Sequence, residues 1–215
     1  MNAKRMILLN VFLLVILVGG GFAGYYYYNQ KAIYLKTNNA QIAGQQVNIA
    51  SPVNGQLIDW KVKTGDSFNK GDTLGKVEMN SDQGRIEMDI KAPTDGTIVR
   101  NNAVKNTIVG AGIPLAISYD FNNLWVTANV EETDLKDIKI GQDVDIYVDA
   151  YPNTTLYGTV DEIGLATAGT FSLLPSSNAT GNYTKETQVI PIKINIEAYA
   201  EKLIPGMNVT VRIHK

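Results

Sequence analysis

The chain has 215 residues, 45% of them hydrophobic, and a formal net charge of −2, which leaves no basic surface for nucleic acid. It contains no cysteine, so disulfides, thiolate metal sites and cysteine nucleophiles are excluded. Its one histidine, His214, is next to last, where we expect a solvated imidazole rather than a catalytic one. These absences argue against most hydrolase and redox chemistry, and we expect no catalytic residue, metal or cofactor.

The N-terminal region predicts a membrane anchor. Residues 6–28 are 23 residues without a charge, long enough to cross a bilayer. Twelve of them are Ile, Leu, Val or Phe, which together favour insertion by roughly 4 to 7 kcal/mol. Lys4 and Arg5 precede the segment and favour a cytoplasmic tail at residues 1–5, while residues 25–28 form a tyrosine belt. We interpret the segment as an uncleaved signal anchor; the alternative, a cleaved signal peptide, also places the rest outside the cytoplasm.

Two glycines within this segment could mediate helix packing in the membrane. Gly20 and Gly24 form a G-x-x-x-G pattern, which lets two membrane helices approach closely. The alternative is that they are small residues simply tolerated in a membrane helix.

After a linker and opening strand at residues 29–40, residues 41–118 repeat one pattern at an offset of 41 positions. The matching pairs are Ile49/Ile90, Pro52/Pro93, Gly55/Gly96, Leu57/Ile98, Gly71/Gly112 and Leu74/Leu115. Each copy predicts short strands joined by a Pro-x-x-Gly turn and a glycine-containing turn, in which Gly65 and Gly71 supply unusual backbone angles. A half of this kind cannot bury its apolar face alone, so residues 47–78 and 89–118 must pack together.

These two halves resemble a biotinyl/lipoyl-carrier β-sandwich. The stretch from Val62 to Val77 is similar to the carriers' V-x-x-G-D motif. In carriers the modified lysine lies in the hairpin between the halves, commonly after a methionine. Here Met79 is followed by Asn80 and Met88 by Asp89, so no amine is available for attachment.

The segment Ile90-Lys-Ala-Pro-Thr-Asp-Gly-Thr-Ile98 resembles the membrane fusion, or periplasmic adaptor, proteins of bacterial export systems, the HlyD/EmrA type. The resemblance implies a non-catalytic adaptor. Members of this family usually carry a long α-helical hairpin between the halves, whereas only some ten residues connect them here. Because two stable helices need about 12–15 residues each, we expect a shortened form without the hairpin.

The remaining segment, residues 119–215, predicts a small antiparallel β-barrel. Apolar residues alternate with polar ones in four stretches: 124–130, 144–148, 190–196 and 207–213. The acidic run that begins at Glu131 predicts a short helix ending before Gly141. Because Pro191 cannot donate to a ladder, we expect its strand to be an edge strand or to bend there. The fold class is therefore mainly β: an N-terminal transmembrane helix, a sandwich without the helical hairpin, then the barrel.

A segment of the barrel region has the most specific resemblance. Residues 171–182, followed by Gln188 and Pro191, resemble the signature of adaptors that partner major-facilitator multidrug exporters, except that Val189 stands where an arginine is common. Phe171, Leu173, Leu174 and Pro175 form an apolar cluster among polar residues. We interpret them as a contact surface for the transporter or a neighbouring adaptor. The alternative is a loop packing over the open end of the barrel.

The resemblance implies an adaptor of an efflux pump, anchored in the cell (inner) membrane by one span, with its N-terminus cytoplasmic and its bulk extracytoplasmic. Its expected partners are a major-facilitator transporter in that membrane and further copies of itself, but no nucleic acid. Two alternatives remain: an accessory adaptor of an ABC-type peptide or toxin exporter, and a carrier subunit of a membrane decarboxylase.

Overall fold

The N-terminal helix runs directly into the first strand. The computed structural model describes residues 3–81, 84–171, 187–199 and 202–215. Helix α1 spans Ala3–Ile33, and its window Asn10–Tyr27 is the one segment within those ranges with the length and composition of a membrane span. Residues 29–33, expected to begin a linker, continue the helix, and strand β1 starts at Tyr34. The predicted N-terminal apolar helix is confirmed.

Twelve strands follow within the described residues. They are β1 (Tyr34–Ala50), β2 (Gly55–Trp60), β3 (Ser67–Phe68), β4 (Thr73–Ser81), β5 (Gly84–Lys91), β6 (Gly96–Asn101), β7 (Ile108–Val109), β8 (Pro114–Glu131), β9 (Asp143–Val148), β10 (Thr155–Ile163), β11 (Val189–Ile196) and β12 (Asn208–His214). Short 3-10 helices occupy Glu132–Asp137 and Ala168–Phe171, the first where the acidic run predicts a helix.

The chain divides into two units. The sandwich unit is Ile42–Trp125 with Ala200–Met207, and the barrel unit is Met1–Gln41, Val126–Tyr199 and Asn208–Lys215. Residues 200–207, assigned to the barrel segment from sequence, therefore group with the sandwich. Strands β1 and β8 are long enough to contribute to both units.

Each sheet of the sandwich unit contains strands from both sequence repeats. One sheet has the order β5-β4-β2-β7, and in the other β1, β8, β6 and β3 are neighbours in that order. When the residue numbers are shifted by 41 positions, β1, β2, β3 and β4 fall on β5, β6, β7 and β8. Each strand of one sheet therefore has its repeat partner in the other sheet. The two halves therefore exchange strands, so that each sheet is built from both halves and neither half contains a complete sheet.

Backbone hydrogen bonds between the halves are reciprocal. The N–H of Gly65 donates to the carbonyl of Ile98 at 2.8 Å, and at the equivalent position the N–H of Asn106 donates to the carbonyl of Leu57 at 2.7 Å. Gly65 has φ +97° and Asn106 has φ +68°, and asparagine is among the few residues that tolerate this region. Asn106 is thus equivalent to Gly65 in the second repeat, although the two residue types differ.

One apolar core joins the two halves of the sandwich. Repeat-related residues contribute to it together: Ile49 with Ile90, Leu57 with Ile98, and Leu74 with Leu115, each no more than 5% exposed. Because each half supplies one side of this core, burial requires both. The predicted packing of two incomplete halves is confirmed.

The barrel unit is a closed six-stranded antiparallel barrel in the order β1-β12-β9-β10-β11-β8, with β8 pairing back to β1. The predicted alternation is confirmed, because the apolar residues point inward: Val126, Ala128, Val130, Val144, Ile146, Val148, Ile190, Ile192, Ile194, Ile196, Val209, Val211 and Ile213 are buried. The prediction of an edge strand at Pro191 is wrong, since β11 lies between β10 and β8. Pro191 is accommodated toward β10 because its carbonyl accepts from the N–H of Gly164 at 2.8 Å, which requires no donor from proline.

One ion pair of the barrel unit predicts a dependence of stability on pH. The Lys215 ammonium donates to the Asp137 carboxylate at 2.8 Å and lowers the pKa of Asp137 below its ordinary value of 3.8. A lowered folded-state pKa contributes stability above the ordinary value, and that contribution is lost as the pH falls through the folded pKa. We expect Asp137→Asn to lower Tm slightly at pH 7 and to have no effect once wild-type Asp137 is protonated. Thermal melts across pH 2–7 measure this, with Asp149→Asn as the exposed control; a constant difference at all pH values would contradict it.

Candidate partner-binding surface

The connection between the two halves of the sandwich is a β-hairpin. Strands β4 and β5 pair from Thr73 opposite Lys91 to Ser81 opposite Gly84, with one register shift between Thr73 and Gly75. Only residues 82 and 83 separate the two strands, so the expected shortened form without a helical hairpin is confirmed. The expectation of a ten-residue connection is corrected, because residues 79–81 and 84–88 belong to the strands.

The hairpin has one apolar face and one charged face. Met79 pairs with Ile86, and Val77 with Met88, so these side chains share a face that extends outward from the core. On the other face Lys76 pairs with Glu87 at 3.3 Å, and Arg85 with Glu78 at 3.5 Å. Between Lys76 and Lys91 the sequence has no lysine, and Lys76 is already in an ion pair. The hairpin therefore presents no amine at the position where a carrier holds its prosthetic group.

The register places two loops of the barrel at the end where α1 enters. Tyr34, the first residue of β1, lies opposite His214 on β12. On the following strands, Ile213 of β12 lies opposite Val144 of β9, and Asp143 of β9 lies opposite Thr159 of β10. The segments that precede β9 and follow β10 therefore leave the barrel at the helix end. They are residues 132–142 and residues 164–188. We call this end of the barrel the helix-proximal end.

The predicted contact cluster belongs to the second of these segments. Phe171 is the last residue of the short helix Ala168–Phe171, while Leu173, Leu174 and Pro175 lie outside the described residues. Since β10 ends and β11 begins at the helix-proximal end, the segment that carries the cluster is attached there at both ends. The contact role of the four residues remains a prediction.

Sequence reasoning missed two exposed aliphatic residues at the same end. Ile140 is 68% exposed and Leu165 is 104% exposed. Each neighbours a turn glycine, Gly141 or Gly164. An aliphatic residue beside a turn glycine was the available signal, but the sequence does not show that the two residues lie at one end of a barrel.

A second missed feature is a polar and aromatic cluster at the junction of α1 and β1. The Arg212 guanidinium carbon lies 4.5 Å from the centre of the Tyr34 ring, and its Nε lies 3.4 Å from the Asp145 carboxylate. The His214 ring packs edge-on against Tyr34 at 4.9 Å, and its Nε2 lies 3.2 Å from Asp145 without hydrogen-bond geometry. The expectation of a freely solvated His214 is therefore wrong, because β12 pairs with β1 up to this residue.

The membrane-packing prediction for Gly20 and Gly24 is untested. In the single chain a Cβ added at either glycine would meet no atom within 4 Å, and the side chains of Asn10–Tyr27 are exposed. The surface at Gly20 and Gly24 is therefore open to lipid or a second helix, and the G-x-x-x-G role stays a prediction.

No constellation for metal-dependent catalysis occurs within residues 3–81, 84–171, 187–199 and 202–215, where no three potential metal-binding side chains of His, Cys, Asp or Glu come together. A cavity of about 170 Å³ in the barrel unit is lined by amide residues and one alanine: Asn38, Asn39, Ala40, Gln41, Asn129 and Asn208. These neutral side chains can exchange hydrogen bonds but supply no acid, base or nucleophile near neutral pH.

Two domain families match the sequence. Residues 45–120 match the barrel-sandwich hybrid domain of YhbJ, and residues 124–213 match the YknX-like β-barrel domain. Together these matches cover most of both units.

Similar proteins include one over the whole chain and others over part of it. YhbJ of Bacillus subtilis (strain 168) is 46% identical over 213 residues, covering 99% of this chain and 94% of that protein. The multidrug export protein EmrA of Haemophilus influenzae is 34% identical over 128 residues, covering 58% of this chain and 33% of that protein. The chain therefore matches only about a third of the length of this EmrA.

Among solved structures, the membrane fusion protein Spr0693 from Streptococcus pneumoniae R6 is similar to this chain with a TM-score of 0.61. The match covers 85% of this chain and 99% of that chain, at 14% sequence identity. At this identity the likeness concerns the fold alone.

Proposed function

The chain belongs to the membrane fusion protein family of efflux adaptors, and from this membership we propose that it is a non-catalytic, membrane-anchored adaptor of a major-facilitator multidrug exporter. Helix α1 anchors it in the cell membrane with the N-terminus in the cytoplasm. The sandwich and barrel units then lie outside, where several copies surround and extend the exit path of the transporter.

The points where residues 164–188 join the barrel strands support this proposal. An adaptor must present its partner-binding residues to a protein embedded in the same membrane. The segment with the multidrug-adaptor signature leaves and rejoins the barrel at the end where the membrane helix enters. The β4–β5 hairpin, which has no acceptor lysine, argues against the carrier alternative.

Site-specific crosslinking tests the proposed partner. A photocrosslinking amino acid at Leu174 of the full-length protein, in native membranes, should capture a major-facilitator transporter that mass spectrometry identifies. The same amino acid at Asn153, in the turn at the opposite end of the barrel, is the matched control. Capture of an ATP-driven exporter at position 174 would favour the alternative adaptor role. Equal capture at both positions would contradict the proposed surface.

Deletion of residues 171–175 tests the function of the cluster. We expect lower drug resistance in cells while membrane insertion remains intact, because the deletion removes an apolar contact and leaves the barrel strands complete. Resistance is measured as the minimal inhibitory concentration of exported compounds and insertion by membrane fractionation. The control replaces residues 176–180 with a Gly-Ser segment of equal length. Unchanged resistance in the deletion variant would count against the cluster.

A further inference from the structure

The exposed aliphatic residues of the barrel unit are distributed unevenly. Outside α1's membrane window, its described residues include two large aliphatic side chains that are more than 60% exposed, Ile140 and Leu165. Both lie at the helix-proximal end. At the opposite end the turn at residues 149–154 has none, and the connection from β11 to β12, which groups with the sandwich unit, has Ile204 at 43%. Single exposed aliphatics are common on protein surfaces, but their restriction to one end requires a physical reason.

The junction between helix and barrel fixes how far this end stands from the lipid. Six residues separate Tyr27, the end of the membrane window, from Ile33, a rise of about 9 Å. The headgroup layer on each side of a bilayer is about 5–8 Å thick. The backbone N–H of Lys215 donates to the carbonyl of Ile33 at 2.8 Å, so the β1–β12 ladder continues into the last helical residue. The barrel is therefore held at the membrane without an intervening linker.

The loops then extend back toward the lipid. Through the register of β1, β12, β9 and β10, Thr159 corresponds to the start of β1, and β10 continues four residues further, to Ile163. With the usual tilt of barrel strands, four residues advance about 10 Å. Leu165 therefore lies beyond the end of the β10 ladder, at the end of the barrel where α1 enters.

We propose that Ile140 and Leu165 form a lipid-contacting rim that inserts into the headgroup layer of the bilayer. The rim holds the barrel against the membrane and limits its tilt about the anchor. At this end Asp137 and Asp161 are paired with Lys215 and Lys193, both at 2.8 Å, while Glu131, Glu132 and Glu162 are exposed together with Lys136 and Lys139. This inference rests on the proposed membrane anchoring by α1 but requires no transporter.

Single-cysteine labelling tests the rim directly, since the natural sequence contains no cysteine. The full-length variants Leu165→Cys and Ile140→Cys would each carry an environment-sensitive fluorophore and be reconstituted in vesicles of phosphatidylethanolamine and phosphatidylglycerol. The quencher is a lipid with a spin label at the top of its acyl chain. We expect labels at 165 and 140 to lose most of their emission. A label at Tyr157→Cys, about 20 Å back along β10, should lose little, and one at Asn153→Cys none.

The possible outcomes separate the rim from the anchor. If the protein floats with the vesicles but positions 165 and 140 are quenched no more than 153, the lipid rim is refuted and the anchor stands. If the protein does not float with the vesicles, the proposed anchoring fails and the rim fails with it. If quenching at 165 and 140 appears only when a transporter is co-reconstituted, the residues are protein contacts and the lipid proposal is wrong. Quenching in vesicles without transporter supports the rim.

Discussion

Replacing Gly55 with alanine should destabilise the sandwich unit by about 3 kcal/mol, whereas the same change at its repeat partner, Gly96, should change stability by no more than about 1 kcal/mol. A Cβ at Gly55 would overlap the backbone carbonyl of Glu78 on the neighbouring strand. At Gly96 the equivalent carbonyl, that of Tyr119, would lie 3.2 Å from the added Cβ. A backbone carbonyl within a paired sheet cannot move far without breaking its ladder, so the overlap at Gly55 has a large cost. The contact at Gly96 requires a shift of only a few tenths of an ångström, so its cost is small.

Chemical denaturation of the full-length protein in detergent measures this difference. Both tryptophans, Trp60 and Trp125, belong to the sandwich unit, so their fluorescence reports its unfolding. Equal effects of Gly55→Ala and Gly96→Ala would mean that β2 and β4 separate more easily than their ladder indicates.

Truncating the central core residues should have an effect of similar size in both repeats. Leu57 is 0% exposed and Ile98 is 1% exposed, and both lie in the core formed jointly by the two halves. We expect Leu57→Ala and Ile98→Ala each to cost about 2–5 kcal/mol, the usual cost of a large-to-small change that leaves a cavity. Against a typical domain stability of about 5–15 kcal/mol, either variant would unfold at much lower denaturant concentration.

The matched control is Ile108→Ala, since Ile108 is 88% exposed on β7 of the same unit. Its change should stay within about 0.5 kcal/mol. Tryptophan fluorescence during denaturation again provides the measurement. If Leu57→Ala were severe and Ile98→Ala harmless, the first half would hold its own core, contrary to the exchanged sheets.

Several sequence predictions failed where a local pattern was judged without its strand neighbours. Arg85-Ile86-Glu87-Met88 alternates charged and apolar residues, as a strand does, but the sequence does not show that this strand pairs with β4. Pro191 suggested an edge strand because the sequence does not show which of its backbone groups a neighbour requires. His214 suggested a frayed terminus because the ring of Tyr34, 180 positions earlier, is not a neighbour in sequence.

The sequence by itself determined the apolar helix, the alternation of the barrel strands, the two related halves and the absence of an acceptor lysine. Each of these is local, because burial imprints a period of two on a strand, length and polarity define a membrane helix, and turns need particular residues. Only the tertiary structure decided that the halves exchange strands, that Gly55 faces a carbonyl, and that Ile140 and Leu165 lie at the same end of the barrel. Those features depend on which strands pair and in what register, and pairing joins residues far apart in sequence through backbone groups that are alike in every residue.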